Sequence, residues 1–462
     1  MTATDDVDRS APARGLSGSY FKLFGASTIS NLGDGIGAIA YPWLASAVTR
    51  SPVLIALVAV VQRIPWLLFS LPAGVVTDRV DRRTLMVRAN VARTVITLAV
   101  AFVVLARSGE LPSPDALDDI GLTFDTDVGL YLLVLLATLL LGIAEVFYDN
   151  AAQTFMPAIV HTDDLEKANG RLWATETVTN QFLGPPLGSL LLVAAFSLPF
   201  FVDAATFAVS AALVSLITIA PRATPPAEER RPWRTEIGEG FRWLWNHELL
   251  RPMAIILGVL NSLGMLTFSI LVLFAQEVLR TSPTEFAILM TGGAVGGIIG
   301  GWTASAISKK IGPGPSLWVT MLGGGAVTAA IGFASSWVLP WLMFSLYSLT
   351  AVLWNVITVS LRQTIIPDEL LGRVNSVYRF FAWGMMPIGS ILGGVLVASF
   401  DSFLSREWAL RWPWFVAGGL HAFLFVYAAP KLTTAKIEAA RAEATGPADE
   451  TASSASGEGV AE

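Results

Sequence analysis

Gln153-Thr-Phe-Met-Pro157 stands 210 residues before Gln363-Thr-Ile-Ile-Pro367, and each closes a long apolar run. Other landmarks repeat in the same order. Gly74 with Arg82-Arg83 precedes Gly301 with Lys309-Lys310 by 227 residues, and Asn169 and Gly188 precede Asn375 and Gly394 by 206. Parallel internal repeats of this kind mark a chain built as two related halves with a path between them. Apolar runs fall at 21–48, 53–77, 84–106, 129–156, 172–194 and 198–219, and resume at 252–276, 285–307, 314–334, 337–361, 374–399 and 409–430. A spanning helix takes roughly 20 apolar residues at about 1.5 Å each. The expectation is an all-α membrane protein of twelve transmembrane helices in two pseudo-symmetric six-helix bundles.

Composition agrees. Charged residues make up 14% of the chain and mean hydropathy is +0.60, whereas a soluble domain carries about a quarter charged residues to cover its surface. Cysteine is absent, which excludes disulfides and thiolate metal sites. His161, His247 and His421 are scattered, so neither a metal site nor a cofactor is expected. The basic residues sit in short loops rather than on one face, which argues against nucleic acid. Residues 1–19 are polar and acidic, and the apolar run after them is too long for a cleavable signal.

The division expected is a disordered N-terminus over 1–19, an N-terminal bundle over 20–220, a linker over 221–251, a C-terminal bundle over 252–431 and a disordered tail over 432–462. In the linker, Ile237, Phe241, Leu244, Trp245 and Leu249 recur at helical spacing among charged residues, as in an interfacial amphipathic helix. Orientation follows from lysine and arginine, because basic loops resist translocation. With both termini cytoplasmic, only Arg50, Arg107, Arg280, Arg406 and Arg411 lie outside, and Arg63 and Arg93 fall within spans. The other 23 of 30 basic residues are then cytoplasmic, and the acidic loop Glu110–Asp127 lies outside. Trp337, Trp341, Trp408, Trp412 and Trp414 fall at the outer boundary, where an amphipathic ring is at home.

Gly74-Val-Val-Thr-Asp78-Arg79-Val-Asp81-Arg82-Arg83, between the second and third spans, resembles the loop signature of the major facilitator superfamily, with Asp81 where the family has a glycine. Gly74 permits close helix contact. Asp78 suits the positive end of a helix, and the resemblance implies the eleventh span as that helix, with Arg79, Arg82 and Arg83 in a cytoplasmic gate. The bland reading is a topogenic charge cluster. Ser30-Asn31-Leu32-Gly33-Asp34, Ser51-Pro52 and Pro367-Asp368-Glu369-Leu370-Leu371-Gly372-Arg373-Val374-Asn375-Ser376 look like the enterobactin-exporter and macrolide-efflux branch. That branch implies export of small amphipathic molecules driven by proton entry. Gly184-Pro185-Pro186-Leu187-Gly188 is a partial match to the glycine-proline motif of drug antiporters.

Charges inside spans are costly unless paired or wet, and so point to function. Asp34, Arg63, Arg93 and Glu145 fall in the middle third of their spans, and Asp149 lies one turn from Glu145 on the same face. Asp34, Glu145 and Asp149 are therefore proton-coupling candidates. Arg63 is the expected partner of Asp34, and Arg93 is given a structural role. The bland reading is a set of static ion pairs. The C-terminal half has Asn355 and Val359 where Glu145 and Asp149 stand, which locates coupling in the N-terminal half. Asn31, Asn261, Gln276, Trp354 and Asn355 are cavity candidates, each equally readable as packing. The expected protein is a cell-membrane exporter with both termini cytoplasmic, working as a monomer on a small-molecule substrate and protons by alternating access. Uptake and lipid flipping remain open alternatives, and a sensor is a remote one. No constellation of catalytic groups suggests an enzyme.

Overall fold

The computed structural model describes residues 16–119, 122–161, 164–218 and 233–445. Among them there are helices and turns but no strand. The N-terminal bundle comprises α1 (Gly18–Val48), α2 (Pro52–Arg79), α3 (Arg82–Ala106), α4 (Val128–Ile159), α5 (Leu165–Glu176), α6 (Gly184–Ala194) and α7 (Leu198–Ser215). A linker helix, α8 (Trp233–Asn246), leads to the C-terminal bundle. That bundle holds α9 (Leu250–Phe268), α10 (Leu271–Leu273), α11 (Pro283–Ile311), α12 (Pro313–Gly332), α13 (Val338–Ile365), α14 (Asp368–Gly384), α15 (Met386–Asp401) and α16 (Arg406–Ala428). A short α17 (Thr434–Thr445) follows.

Nine of these stretches are long and apolar enough to cross a membrane among the described residues. The expected first, fifth and ninth spans are helical but not among the nine. Lys22, Asn31 and Asp34 dilute α1, and glycines crowd α12. The fifth is broken by a π-helical segment, Thr177–Leu183, between α5 and α6. Pro185 and Pro186 supply no N–H to the preceding turn, so the spiral widens there. A second π segment, Phe274–Val278, ends the helix begun by α9 and α10. It closes with Arg280 in the left-handed region at φ 54° and with Thr281 N–H returning to the Ala275 carbonyl at 3.0 Å.

The helices begin where the sequence offers caps. Ser17, Ser51, Asp81, Asp127 and Ser282 accept from the first-turn N–H groups of α1, α2, α3, α4 and α11. Asp81, the departure from the loop signature, thus starts α3, its carboxylate taking the Thr84 N–H at 2.8 Å. In the linker, Leu244 and Leu249 are buried while Phe241 and Trp245 stack at 5.4 Å on an exposed face. The tail expected to be disordered from 432 is helical over Thr434–Thr445. Leu432 and Ile437 are fully buried, and Thr434 Oγ1 accepts the Gly314 N–H, so three side chains suffice to dock it. Trp414, expected at the boundary, is buried against Phe274 instead.

Candidate functional site

Asp34 is midway along α1, and its side chain is 31% exposed although the helix is packed on α6 and α7. Its Oδ1 accepts from Arg93 Nη2 of α3. Arg93 is 3% exposed, also donates to Ser30 Oγ at 3.4 Å, and lies 3.9 Å from the centroid of the Phe207 ring of α7. One guanidinium thereby ties α1, α3 and α7 together. Glu145 and Asp149 on α4 are half-buried and within electrostatic reach of Arg93. The expected partner was Arg63, and that pairing is not what forms. The helix carrying Arg63, α2, lies against α4 and α15 and meets α1 only sparsely, so Arg63 sits nearer Glu145. Two arginines at one depth are equivalent in sequence, and the choice between them is made by helix order around the bundle.

The glycine-proline motif supports this cluster from behind. A Cβ on Gly184 would lie 2.5 Å from Gly35 Cα, and one on Gly188 would lie 2.7 Å from the Ile36 carbonyl. Pro185 is buried in the same contact. Gly184 and Gly188 therefore let α6 touch the backbone of α1 one and two residues beyond Asp34.

The loop-signature residues divide. Arg82 Nη1 donates to the Thr154 carbonyl at 2.7 Å and Arg83 Nη2 to the Ser215 carbonyl, so each basic group serves the carbonyl end of a helix in its own bundle. Gly74, Asp78 and Arg79 belong to the last turns of α2, but their side chains lie outside the described residues.

The cavity candidates also divide. Asn31 Nδ2 donates to the Ser27 carbonyl at 2.9 Å, within its own helix. Asn261 Nδ2 donates to the Ala382 carbonyl at 2.8 Å and joins α9 to α14. Asn355 is exposed. Trp354 is 2% exposed in the core of the C-terminal bundle, so it offers no stacking face to a substrate here. Gln276 is fully buried, with Nε2 donating to Ser46 Oγ at 2.8 Å and Oε1 accepting from Arg50 Nη1 at 2.9 Å.

That last pair belongs to a network at the end of the molecule away from the start of α1 and from α17, which the sequence did not reveal. Arg50, between α1 and α2, reaches Glu277 at 2.9 Å and donates to the Leu117 carbonyl at 3.1 Å. Arg406, opening α16, grips both Glu277 oxygens at 2.8 and 3.2 Å, and donates to the Arg50 carbonyl and to Asp401, each at 2.9 Å. Burial works against the charge on Arg50 and pushes its pKa down, while Glu277 opposes that push. Nearby, Ser189 Oγ and Thr284 Oγ1 meet at 3.0 Å across the two bundles, and Trp43 meets Phe286 edge-on. The signal for Glu277 was an acid at the end of a long apolar run, with Arg280 three residues further on.

Residues 23–390 match the sequence profile of the Major Facilitator Superfamily. The chain belongs to the major facilitator superfamily. Its curated relatives include the multidrug efflux pump Tap of Mycolicibacterium fortuitum, 26% identical over 424 residues, which cover 87% of this chain and 94% of that protein. They also include the enterobactin exporter EntS of Shigella boydii serotype 4 (strain Sb227), 23% identical over 371 residues, 78% of this chain and 80% of that one. The resemblance to exporters read from Ser30–Asp34 and Pro367–Ser376 is thereby borne out. Among solved structures, a bacterial homologue of the iron transporter ferroportin in an inward-facing state matches with TM-score 0.67 at 15% identity, over 90% of this chain and all of that one. The nucleoside transporter NupG matches with TM-score 0.65 at 12% identity, over 89% of this chain and 98% of that one. The protein is thus a multi-pass membrane transporter of the superfamily, and the superfamily consists of transporters rather than enzymes.

Proposed function

We propose that the protein exports a small amphipathic molecule in exchange for protons, by alternating access, with both termini in the cytoplasm and twelve spans. The observation that carries the reading is Asp34: a carboxylate half-way through the bundle, partly exposed, paired with a single buried arginine and flanked by Glu145 and Asp149. Such a group is held charged by Arg93 and released from it when a proton binds. The helix geometry around it then changes, because the ion pair spans α1 and α3. The exporters among its relatives support the direction of transport.

The conformation fits one half of such a cycle. The Arg50–Glu277–Arg406 network and the Ser189–Thr284 contact join the two bundles at the outer end. Further in, Trp66 and Trp383 meet at 5.0 Å, while Gln153, Asn355 and Gln363 are exposed towards the other end. Substrate enters from the cytoplasm or inner leaflet in this state. Rocking of the bundles opens the outside, a proton takes Asp34 or Glu145, and substrate leaves.

The test uses full-length protein in proteoliposomes with an imposed pH gradient and ethidium and erythromycin as probes. Asp34→Asn and Glu145→Gln are expected each to abolish gradient-driven movement of a probe that the unaltered protein carries, with proton flux lost in parallel. Normal proton-linked transport in both variants refutes the proton site, and accumulation in the opposite direction establishes uptake instead.

A further inference from the structure

One deeply buried carboxyl is used by none of the pairs described. Asp203 is the sixth residue of α7 and is 2% exposed, and its Oδ1 has no hydrogen-bond partner. It fills a recess that α1 makes for it. A Cβ on Gly33 would lie 2.5 Å from Asp203 Oδ1, and one on Gly37 would lie 3.6 Å from Oδ2. Tyr41 continues the same face of α1 one turn further out, and its hydroxyl is buried without a partner beside Asp203 and Thr97. Thr97 stands one turn beyond Arg93 on α3, fully buried, with Oγ1 also unpartnered. Phe200 covers the recess from outside, its ring 5.1 Å from that of Tyr41.

Folded proteins leave few buried polar atoms unpaired, and three in one recess call for an explanation. The charges facing Asp203 give one. From α1 come Asp34 and Tyr41, from α3 Arg93, and α6 presents no titratable group. Asp203 and Asp34 thus draw on one guanidinium, which Asp34 engages and which Glu145 and Asp149 on α4 also draw on. A second uncompensated negative charge at this depth costs several kcal/mol, so one of the two acids holds a proton, and in this conformation it is the acid without the arginine.

We propose that Asp203 is a second protonation site, sharing one proton with Asp34 under the control of Arg93. The inference deepens the proton-antiport reading and rests on it for its role in transport. The exchange is balanced: the O–H bond at Asp203 breaks, one forms at Asp34, and the Arg93 guanidinium turns from Asp34 to Asp203. The hydroxyls of Thr97 and Tyr41 line the way between them. The net charge of the trio is the same before and after. Neutral Asp34, freed from α3 and partly exposed, can then give up its proton to water. The adjacent guanidinium repels a metal cation, which makes the proton the occupant that fits.

Infrared spectroscopy of the purified full-length protein at neutral pH reads this without a substrate. The stretch of a protonated carboxyl is expected in the unaltered protein and lost in Asp203→Asn. It is also expected to be lost in Asp34→Asn, where Asp203 is intact but takes over Arg93 and ionises. This second variant decides the matter by itself if Asp203→Asn does not fold. A wild-type spectrum indistinguishable from that of Asp203→Asn in this band overturns the proposal, as does a band that persists in Asp34→Asn or one removed by added sodium. Loss in both variants combined with normal proton-linked transport by Asp34→Asn vesicles leaves the shared proton standing and removes Asp34 as the coupling site. The reverse combination removes only the shared proton.

Discussion

Replacing Glu277 by glutamine should open the end of the transporter that the proposed topology places outside. Glu277 and Arg406 lie on the same bundle and stay together when the bundles part, so of the bonds that Glu277 makes only the one from Arg50 is broken on opening. That bond is 2.9 Å long, between side chains 9% and 2% exposed. A hydrogen bond to a charged group in such a place contributes roughly 1.5–3 kcal/mol. The amide also leaves the Arg50 and Arg406 guanidinium groups opposed in the closed state without the carboxylate between them, so the upper part of that range applies. At about 1.4 kcal/mol per decade, a loss of about 2–3 kcal/mol shifts the closed-to-open ratio by roughly thirty- to a hundredfold. The absence of cysteine makes the assay direct. A single Ser189→Cys, buried between the bundles beside Thr284, is labelled from outside by a membrane-impermeant thiol reagent. The labelling rate follows the open fraction while that fraction is small. Adding Glu277→Gln should raise it by the same factor, up to saturation. A rate that stays within about threefold of the Ser189→Cys protein alone, well under a decade on that scale, shows that something other than this network holds the outer end shut.

Two more outcomes follow from contacts elsewhere. Gly188→Leu forces a side chain onto the Ile36 carbonyl, where even a Cβ would stand at 2.7 Å. Overpacking of this kind costs about 1–3 kcal/mol, and the melting temperature in detergent should fall, while Leu187→Ala, on the exposed side of α6, leaves it nearly unchanged. His247 Nδ1 accepts from the Leu249 and Leu250 N–H groups at 3.2 and 3.3 Å, and burial holds its pKa below the usual 6.5. Its contribution is therefore complete above about pH 6.5 and declines as pH falls through the lower folded value, so the melting temperature should drop on acidification by less in His247→Asn than in the unaltered protein.

Much of the architecture is legible because lipid leaves few options. A backbone deprived of water must satisfy itself within a helix, so long apolar runs announce their structure without reference to neighbours. The pairing of Gln153-Thr-Phe-Met-Pro157 with Gln363-Thr-Ile-Ile-Pro367 then announces the duplication. Asp34, Glu145 and Asp149 were visible for a related reason, since a carboxylate deep in an apolar run stands out against it. Asp203 was passed over because it lies only six residues into its helix, where a carboxylate usually reaches water. Glu277 lies at the far end of its own helix and looked like a boundary residue for the same reason.

The sequence by itself determined the helices, their duplication and the depth of each charge, because these depend on local hydropathy and on distance along one chain. Only the tertiary structure decided that Arg93 rather than Arg63 holds Asp34, that Arg50 meets Gln276, 226 positions along the chain, and Glu277 beside it, and that Gly33 and Gly37 make room for Asp203. Depth places a side chain along the membrane normal but leaves its direction around the helix and the order of helices free. Those two quantities emerge from packing glycine faces and bulky faces against one another, and they select each charge's partner.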